Sequence, residues 1–105
     1  MKPELIVISE YCIQSHLDPD FIIQLEDEGL IEISIIDDER YIDLSQLSSL
    51  ERYARLHYDL SINVEGISVI QNLLDRVSEM QEEMQILRQK IRLLDEDDLS
   101  EYENI

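Results

Sequence analysis

The fold is decided by residues 18–32, which read Asp18-Pro19-Asp20-Phe21-Ile22-Ile23-Gln24-Leu25-Glu26-Asp27-Glu28-Gly29-Leu30-Ile31-Glu32. Asp18 before Pro19 predicts a helix start, because a carboxylate caps free backbone amides and proline is tolerated at the first helical position. Phe21 and Leu25 lie on the apolar side of this helix, and Gly29 predicts its end. The stretch therefore predicts a short capped helix that leads into a strand.

A second short helix is predicted just before this one. Residues 4–8 are a β-branched run that predicts a strand, and Ser9 is the expected N-cap of a helix that carries Cys12. Residues 15–17 predict the turn to the next helix. Two short helices joined by about three residues make a helix-turn-helix.

A hairpin and a third helix are predicted after Gly29. Isoleucines alternate with polar residues over 31–35, which predicts a half-buried strand. The polar residues 37–39 predict a turn, and residues 40–42 return as the second strand of the hairpin. Asp43 is the expected cap of a helix over 44–60.

The most regular part of the sequence is a long helix predicted from the cap Asn63 to about Leu94. Its apolar residues recur every three or four positions, with one skipped residue near Met80, which is typical of a heptad seam. A head of some sixty residues cannot cover a helix about 46 Å long. The alternatives are a helix that folds back on its own head or, preferred here, a homodimer. The predicted dimerisation residues are Leu74, Val77, Met80, Met84, Leu87, Ile91 and Leu94.

Charge divides the chain into three parts. Residues 1–43 contain twelve acidic and two basic residues, a net charge of −10, and residues 44–94 are nearly neutral. Residues 95–105 add six acids and no base. The domains predicted from these patterns are a winged helix-turn-helix-like head over 1–62, a coiled-coil dimerisation helix over 63–94, and an acidic, disordered tail over 95–105.

The overall composition excludes several classes of protein. A net charge of −17 argues against nucleic acid and against an anionic membrane surface as partners, because both would repel the chain. No apolar run approaches the ~18 residues of a membrane span, and no secretory apolar region follows the first residues. A single cysteine fits a reducing compartment. The expectation is a soluble, cytoplasmic protein whose partner is basic.

No set of residues predicts an active site. Cys12 and His16 are spaced like half of a zinc site, but there is no second cysteine, and His57 belongs to another element. The acidic run 95–98 lacks the glycine turn and the distant glutamate of a calcium loop. Two glycines in the chain cannot form a glycine-rich phosphate loop. The sequence therefore predicts a non-enzymatic protein without a catalytic residue, metal or cofactor.

The order of these elements resembles the MerR-like winged helix-turn-helix group, and several stretches are similar to the small CbpM-type chaperone modulators. The similar stretches are Ser9-Glu10-Tyr11-Cys12, residues 21–32, residues 47–60, residues 62–67 and the end of the long helix. The resemblance implies a mostly α fold with a small β-hairpin, in which a winged helix-turn-helix head precedes a long C-terminal dimerisation helix. It also implies a dimer that binds the J-domain of a DnaJ/CbpA-like co-chaperone and competes with its Hsp70 (DnaK) partner.

An acidic head is the complement of the basic helix that such a J-domain presents. The predicted partner-binding residues, with Tyr11 as an aromatic anchor, are Glu10, Tyr11, Asp20, Glu26, Asp27 and Glu28. Two alternatives use the same scaffold. One is a MerR-like transcriptional regulator, although the helix that would enter the major groove offers only Gln24 for base contacts. The other is an acidic DNA mimic that occupies a DNA-binding protein.

Overall fold

The computed structural model describes residues 4–95, and the chain divides into two units, Met1–Ile70 and Gln71–Ile105. The elements of the described part are, in chain order, β1 (Leu5–Val7), α1 (Ile8–Ser15), α2 (Pro19–Asp27), β2 (Ile33–Ile36), β3 (Glu39–Asp43), a 3-10 turn (Leu44–Gln46), α3 (Leu47–Tyr58) and α4 (Val64–Asp95). The predicted class, mostly helical with a winged helix-turn-helix head and a long last helix, is confirmed.

Helix α2 begins and ends as its sequence predicts. The Asp18 side chain accepts a hydrogen bond of 2.9 Å from the Asp20 amide, which satisfies one free amide of the first turn. Gly29 has φ of +74°, a left-handed conformation that glycine adopts without a Cβ penalty. The Leu30 amide then donates to the Leu25 carbonyl at 2.9 Å, which closes the helix in a Schellman arrangement. Both ends of this helix are therefore determined by local chemistry.

We expect Asp18→Ala to lower the free energy of unfolding by about 1 kcal/mol, because the mutant leaves the Asp20 amide without its cap. Asp18→Asn is the matched control, since an asparagine side chain also caps. Urea unfolding followed by circular dichroism measures both. Equal midpoints for Asp18→Ala and the wild type would contradict the capping role.

The sheet contains one strand more than the predicted hairpin. Strand β3 lies between β1 and β2, and both pairings are antiparallel. Ile42 of β3 is opposite Ile6 on one side and opposite Ile33 on the other, so these three residues share one face of the sheet. Ile42 is 1% exposed, which identifies this face as the one that covers the core. Asp37 and Asp38 both have positive φ, as a two-residue hairpin turn requires.

Two local predictions are wrong. Ser9 is not an N-cap: α1 begins at Ile8 directly after β1, and its N-cap Val7 makes no side-chain hydrogen bond. Ile35 is 66% exposed although it is in phase with the buried Ile31, because the hairpin continues past the edge of the core. The predicted cap Asp43 is confirmed, since its side chain accepts from the Ser45 amide at 2.9 Å, but the helical segment after it opens as a 3-10 turn before α3 begins.

The core of the first unit joins all its elements. Phe21, Ile22 and Leu25 of α2 pack with the buried residues of α1, β3, α3 and the start of α4, and Ile67 of α4 is 0% exposed. The buried residues are Ile8, Cys12, Phe21, Ile22, Leu25, Ile31, Ile42, Leu50, Tyr53, Val64 and Ile67. The helix-turn-helix is therefore held against both the sheet and α3.

Helix α4 begins at the predicted cap. The Gly66 amide donates to the Asn63 side-chain oxygen at 2.8 Å, and the helix continues through 32 residues to Asp95. Beyond Asp95, the predicted acidic tail lies outside the described residues.

Candidate protein-interaction site

The predicted partner-binding acids of α2 lie on its outward side. Asp20, Asp27 and Glu28 are exposed, and Glu26 is half-buried. They are turned outward because the opposite side of the same helix is buried in the core. Gln24 is also exposed, and Ile23 is 37% exposed. The outer face of α2 is therefore acidic, and Ile23 is its one exposed large apolar side chain.

The wing has the same charge as α2. Its turn exposes Asp37, Asp38 and Glu39, and only Arg40 on β3 adds a positive charge. The sequence has no lysine or arginine between Pro3 and Glu39. Both surfaces that a winged helix-turn-helix would turn toward DNA are therefore anionic, which opposes binding to phosphates.

Helix α1 supplies the other two predicted residues. Glu10 is exposed, whereas Tyr11 is half-buried and packs against the edge of the core. Tyr11 lines a groove of about 380 Å³ between the end of α1 and the middle of α3. The residues that line the groove are Tyr11, Ser15, Leu17, Glu51, Ala54 and Arg55. The predicted anchor thus lies in a concave surface to which α3 contributes Glu51, Ala54 and Arg55, and no pattern in the sequence indicated those three residues.

An aromatic cluster joins α3 to α2. The His57 ring stacks on Phe21 with 4.6 Å between centroids, and the Tyr58 ring meets Phe21 edge-on at 5.4 Å. The Asp18 amide donates to the Tyr58 hydroxyl at 3.0 Å, and His57 Nδ1 lies 2.9 Å from the Ile62 carbonyl oxygen. The cluster ties the end of α3 to the start of α2, so His57 has a structural role.

Cys12 is a core residue. It is 4% exposed, and burial raises the pKa of its thiol, with the Asp18 carboxylate adding to the effect. A protonated, buried thiol is a poor nucleophile and a poor metal ligand. His16 is exposed at the turn. Over residues 4–95 no group of three or more His, Cys, Asp or Glu residues is arranged to hold a metal ion, and no helix there is long and apolar enough to span a membrane.

The distal part of α4 carries a row of exposed apolar side chains. Leu87 is 56% exposed and Ile91 is 53% exposed, so neither belongs to a core of its own chain. Leu73, which is absent from the predicted set, is 54% exposed. With Leu73 in place of Leu74 the heptad spacing of the apolar residues has no interruption, and Leu74 lies beside the seam. The residues at alternating spacings of four and three are Leu73, Val77, Met80, Met84, Leu87, Ile91 and Leu94.

Comparisons with known proteins agree with this architecture. A family model described as "MerR HTH family regulatory protein" matches residues 6–89. A chaperone modulatory protein CbpM from Pseudomonas entomophila is 26% identical over 81 residues, which cover 76% of this chain and 80% of the relative. The protein of the same name from Escherichia coli O1:K1 is 25% identical over 85 residues, which cover 80% of this chain and 84% of the relative.

No solved structure matches the chain significantly. The matched residues 6–89 include α1, α2, the hairpin, α3 and most of α4, so the similarity extends over both the head and the long helix. The names of the family and of the relatives describe regulators, which are non-enzymatic kinds of protein. The chain therefore belongs to the family of MerR helix-turn-helix regulatory proteins, and the relatives it resembles are chaperone modulatory proteins of the CbpM type.

Proposed function

We propose that the protein is a non-enzymatic modulator that binds the J-domain of a DnaJ/CbpA-like co-chaperone and competes with Hsp70 (DnaK) for it. The observation that carries the proposal is the acidic outer face of α2 and the wing, where Asp20, Asp27, Glu28 and Asp37 are all exposed. A helix-turn-helix with this charge attracts a basic protein surface and repels a phosphate backbone.

Charge and apolar contacts have separate roles in this proposal. Acids spread over an exposed face raise the rate of encounter with a basic helix, and salt screens their effect. A single exposed pair contributes little to affinity, so an aromatic anchor such as Tyr11 has to supply more of the binding energy. A modulator that covers the basic helix of a J-domain leaves no room there for a second protein. Competition with DnaK follows from that shared surface.

The proposed active form is a cytoplasmic homodimer paired through α4. When Leu73 replaces Leu74 in the predicted set, the seven apolar residues at heptad spacing are each between 45% and 75% exposed in the single chain. Water-exposed apolar side chains at this spacing favour pairing with a second helix, since each buried side chain contributes roughly 1.5–3 kcal/mol. A copy of the same chain supplies a seam of matching length.

The double variant Asp27→Lys with Glu28→Lys tests the charged surface. With the purified J-domain as partner, we expect association to slow by at least about tenfold at low salt, because the variant reverses two charges on the docking face. We expect the dissociation rate to change less. Surface plasmon resonance at several salt concentrations measures both rates.

Glu79→Lys with Glu82→Lys is the matched control. It changes the net charge by the same amount, at exposed positions of α4 outside the heptad seam. An equal slowing by the two double variants would contradict a specific role for α2 and would indicate an effect of net charge alone. Failure of the wild type to bind the J-domain would overturn the proposed function itself.

A further inference from the structure

The geometry points to the groove between α1 and α3 as the site that seats an apolar side chain of the partner's basic helix. This inference deepens the proposed function and rests on it, since it names where on the head the energetic anchor lies. It also assigns a binding role to α3, a helix that contains none of the predicted site residues.

The groove exists because of a small residue on α3. Glu51, Ala54 and Arg55 are three and four positions apart, so they lie on one face of that helix. Ala54 has no side chain beyond Cβ, and the space next to it is bounded on the other side by Tyr11 and Leu17. Tyr11, Leu17 and Ala54 are all half-buried against the core, so the groove offers apolar side chains beside the polar groups of its other lining residues, Ser15, Glu51 and Arg55.

The charges around the groove suit an amphipathic basic helix. Within the groove, the carboxylate of Glu51 and the guanidinium of Arg55 balance one another. Glu10 precedes Tyr11 in the chain and Asp18 follows Leu17, and both carboxylates are exposed. The apolar part of the groove therefore accepts an aliphatic or aromatic side chain, and the exposed acids next to Tyr11 and Leu17 in the chain favour a helix that also carries lysine or arginine residues.

The outer face of α2 does not offer the same combination. Its only exposed apolar side chain is Ile23, at 37%, among acidic and amide residues. Binding energy at protein interfaces concentrates where an aromatic or aliphatic anchor enters a pocket that excludes water. We therefore assign two roles: the charges of α2 steer the approach of the partner, and the groove retains the partner once it is bound.

The two roles predict different kinetic effects. Filling the groove with Ala54→Gln should speed dissociation of the J-domain by at least about tenfold and leave association nearly unchanged, as is usual for loss of a buried anchor. Glu51→Arg, at an exposed position that no core contact requires, should also weaken binding, whereas Arg55→Glu should strengthen it. Surface plasmon resonance with the immobilised J-domain measures all three.

Ser48→Gln is the matched control for Ala54→Gln, because Ser48 is exposed on the same helix and does not line the groove. Circular dichroism and urea unfolding establish that each variant is folded. A folded Ala54→Gln with the dissociation rate of the wild type would overturn the assignment. If that variant does not fold, Ser15→Gln at the exposed end of α1 replaces it. A wild-type dissociation rate for a folded Ser15→Gln would also overturn the assignment.

These outcomes are separable from failure of the proposed function. If the wild type binds the J-domain and the groove variants bind equally well, only the location of the anchor is wrong. If the wild type does not bind the J-domain, the proposed function fails before the groove is tested.

Discussion

Glutamate at both Leu87 and Ile91 is expected to turn a dimer into a monomer. In the single chain these side chains are 56% and 53% exposed, so the substitution removes no contact from the core of its own chain. In a paired seam it would place four carboxylates, two from each copy, on apolar surface without partners. Burial of unpaired charge costs several kcal/mol per ion, which is more than the seam gains from either residue.

Light scattering coupled to size exclusion measures this result directly. We expect twice the 12.4 kDa chain mass for the wild type and the single chain mass for the variant. The variant should also lose helical signal, because most of a helix's stability in a protein comes from packing of its apolar face, which the unpaired α4 would lack. Gln85→Glu with Gln89→Glu is the matched control on the outer side of α4, and it should remain dimeric. A wild-type protein that is monomeric at micromolar concentration would contradict the proposed pairing.

Leu25→Ala is expected to produce a large loss of stability. Leu25 is 0% exposed, at the point where α2 meets the rest of the core. Removing its side chain should lower the free energy of unfolding by about 2–5 kcal/mol, as for other buried leucines. That is a large share of the roughly 5–15 kcal/mol typical of a domain.

Ile23→Ala is the control on the same helix, because Ile23 is 37% exposed and contributes little to the core. We expect it to change the free energy of unfolding by about 0.5 kcal/mol or less. Urea unfolding compares the two. Should Leu25→Ala not fold, Ile22→Val, at a position 2% exposed, is expected to cost about 0.5–1.5 kcal/mol. Wild-type stability in both core variants would contradict the packing described for α2.

The elements that could be predicted from sequence are those determined by local chemistry. Asp18 and Gly29 mark the two ends of α2, and Asn63 marks the start of α4, because each position makes its hydrogen bond within a few residues or adopts a special φ. Strand β1 as part of a three-stranded sheet could not be predicted in the same way. A run of three residues is too short to show a period. The pairing of this strand with β3 also joins positions nearly forty residues apart in the chain.

The candidate site was predictable only in part. The exposed acids of α2 follow from the period of its buried face, since Phe21, Ile22 and Leu25 leave Asp20, Asp27 and Glu28 outside. The groove depends on how α3 packs beside α1, which no spacing within either helix determines. The same is true of the stacking of His57 on Phe21, which joins residues far apart in the chain.

Family membership and surface charge give opposite indications about nucleic acid. The family is named for a helix-turn-helix that regulates, yet the described head presents carboxylates on both α2 and the wing. A scaffold keeps its core while its surface changes, so a fold alone does not determine function. Here the charge of the outer face favours a basic protein over nucleic acid as partner.

We propose that the acidic head binds a basic J-domain in preference to DNA. Isothermal titration of the wild type into the purified J-domain, and into a mixed-sequence duplex in the same buffer at about 0.15 M salt, compares the two partners. We predict saturable binding of the J-domain that weakens as salt rises, and no measurable heat with the duplex. Specific binding of the duplex together with none of the J-domain would contradict the account and would identify a transcriptional regulator instead.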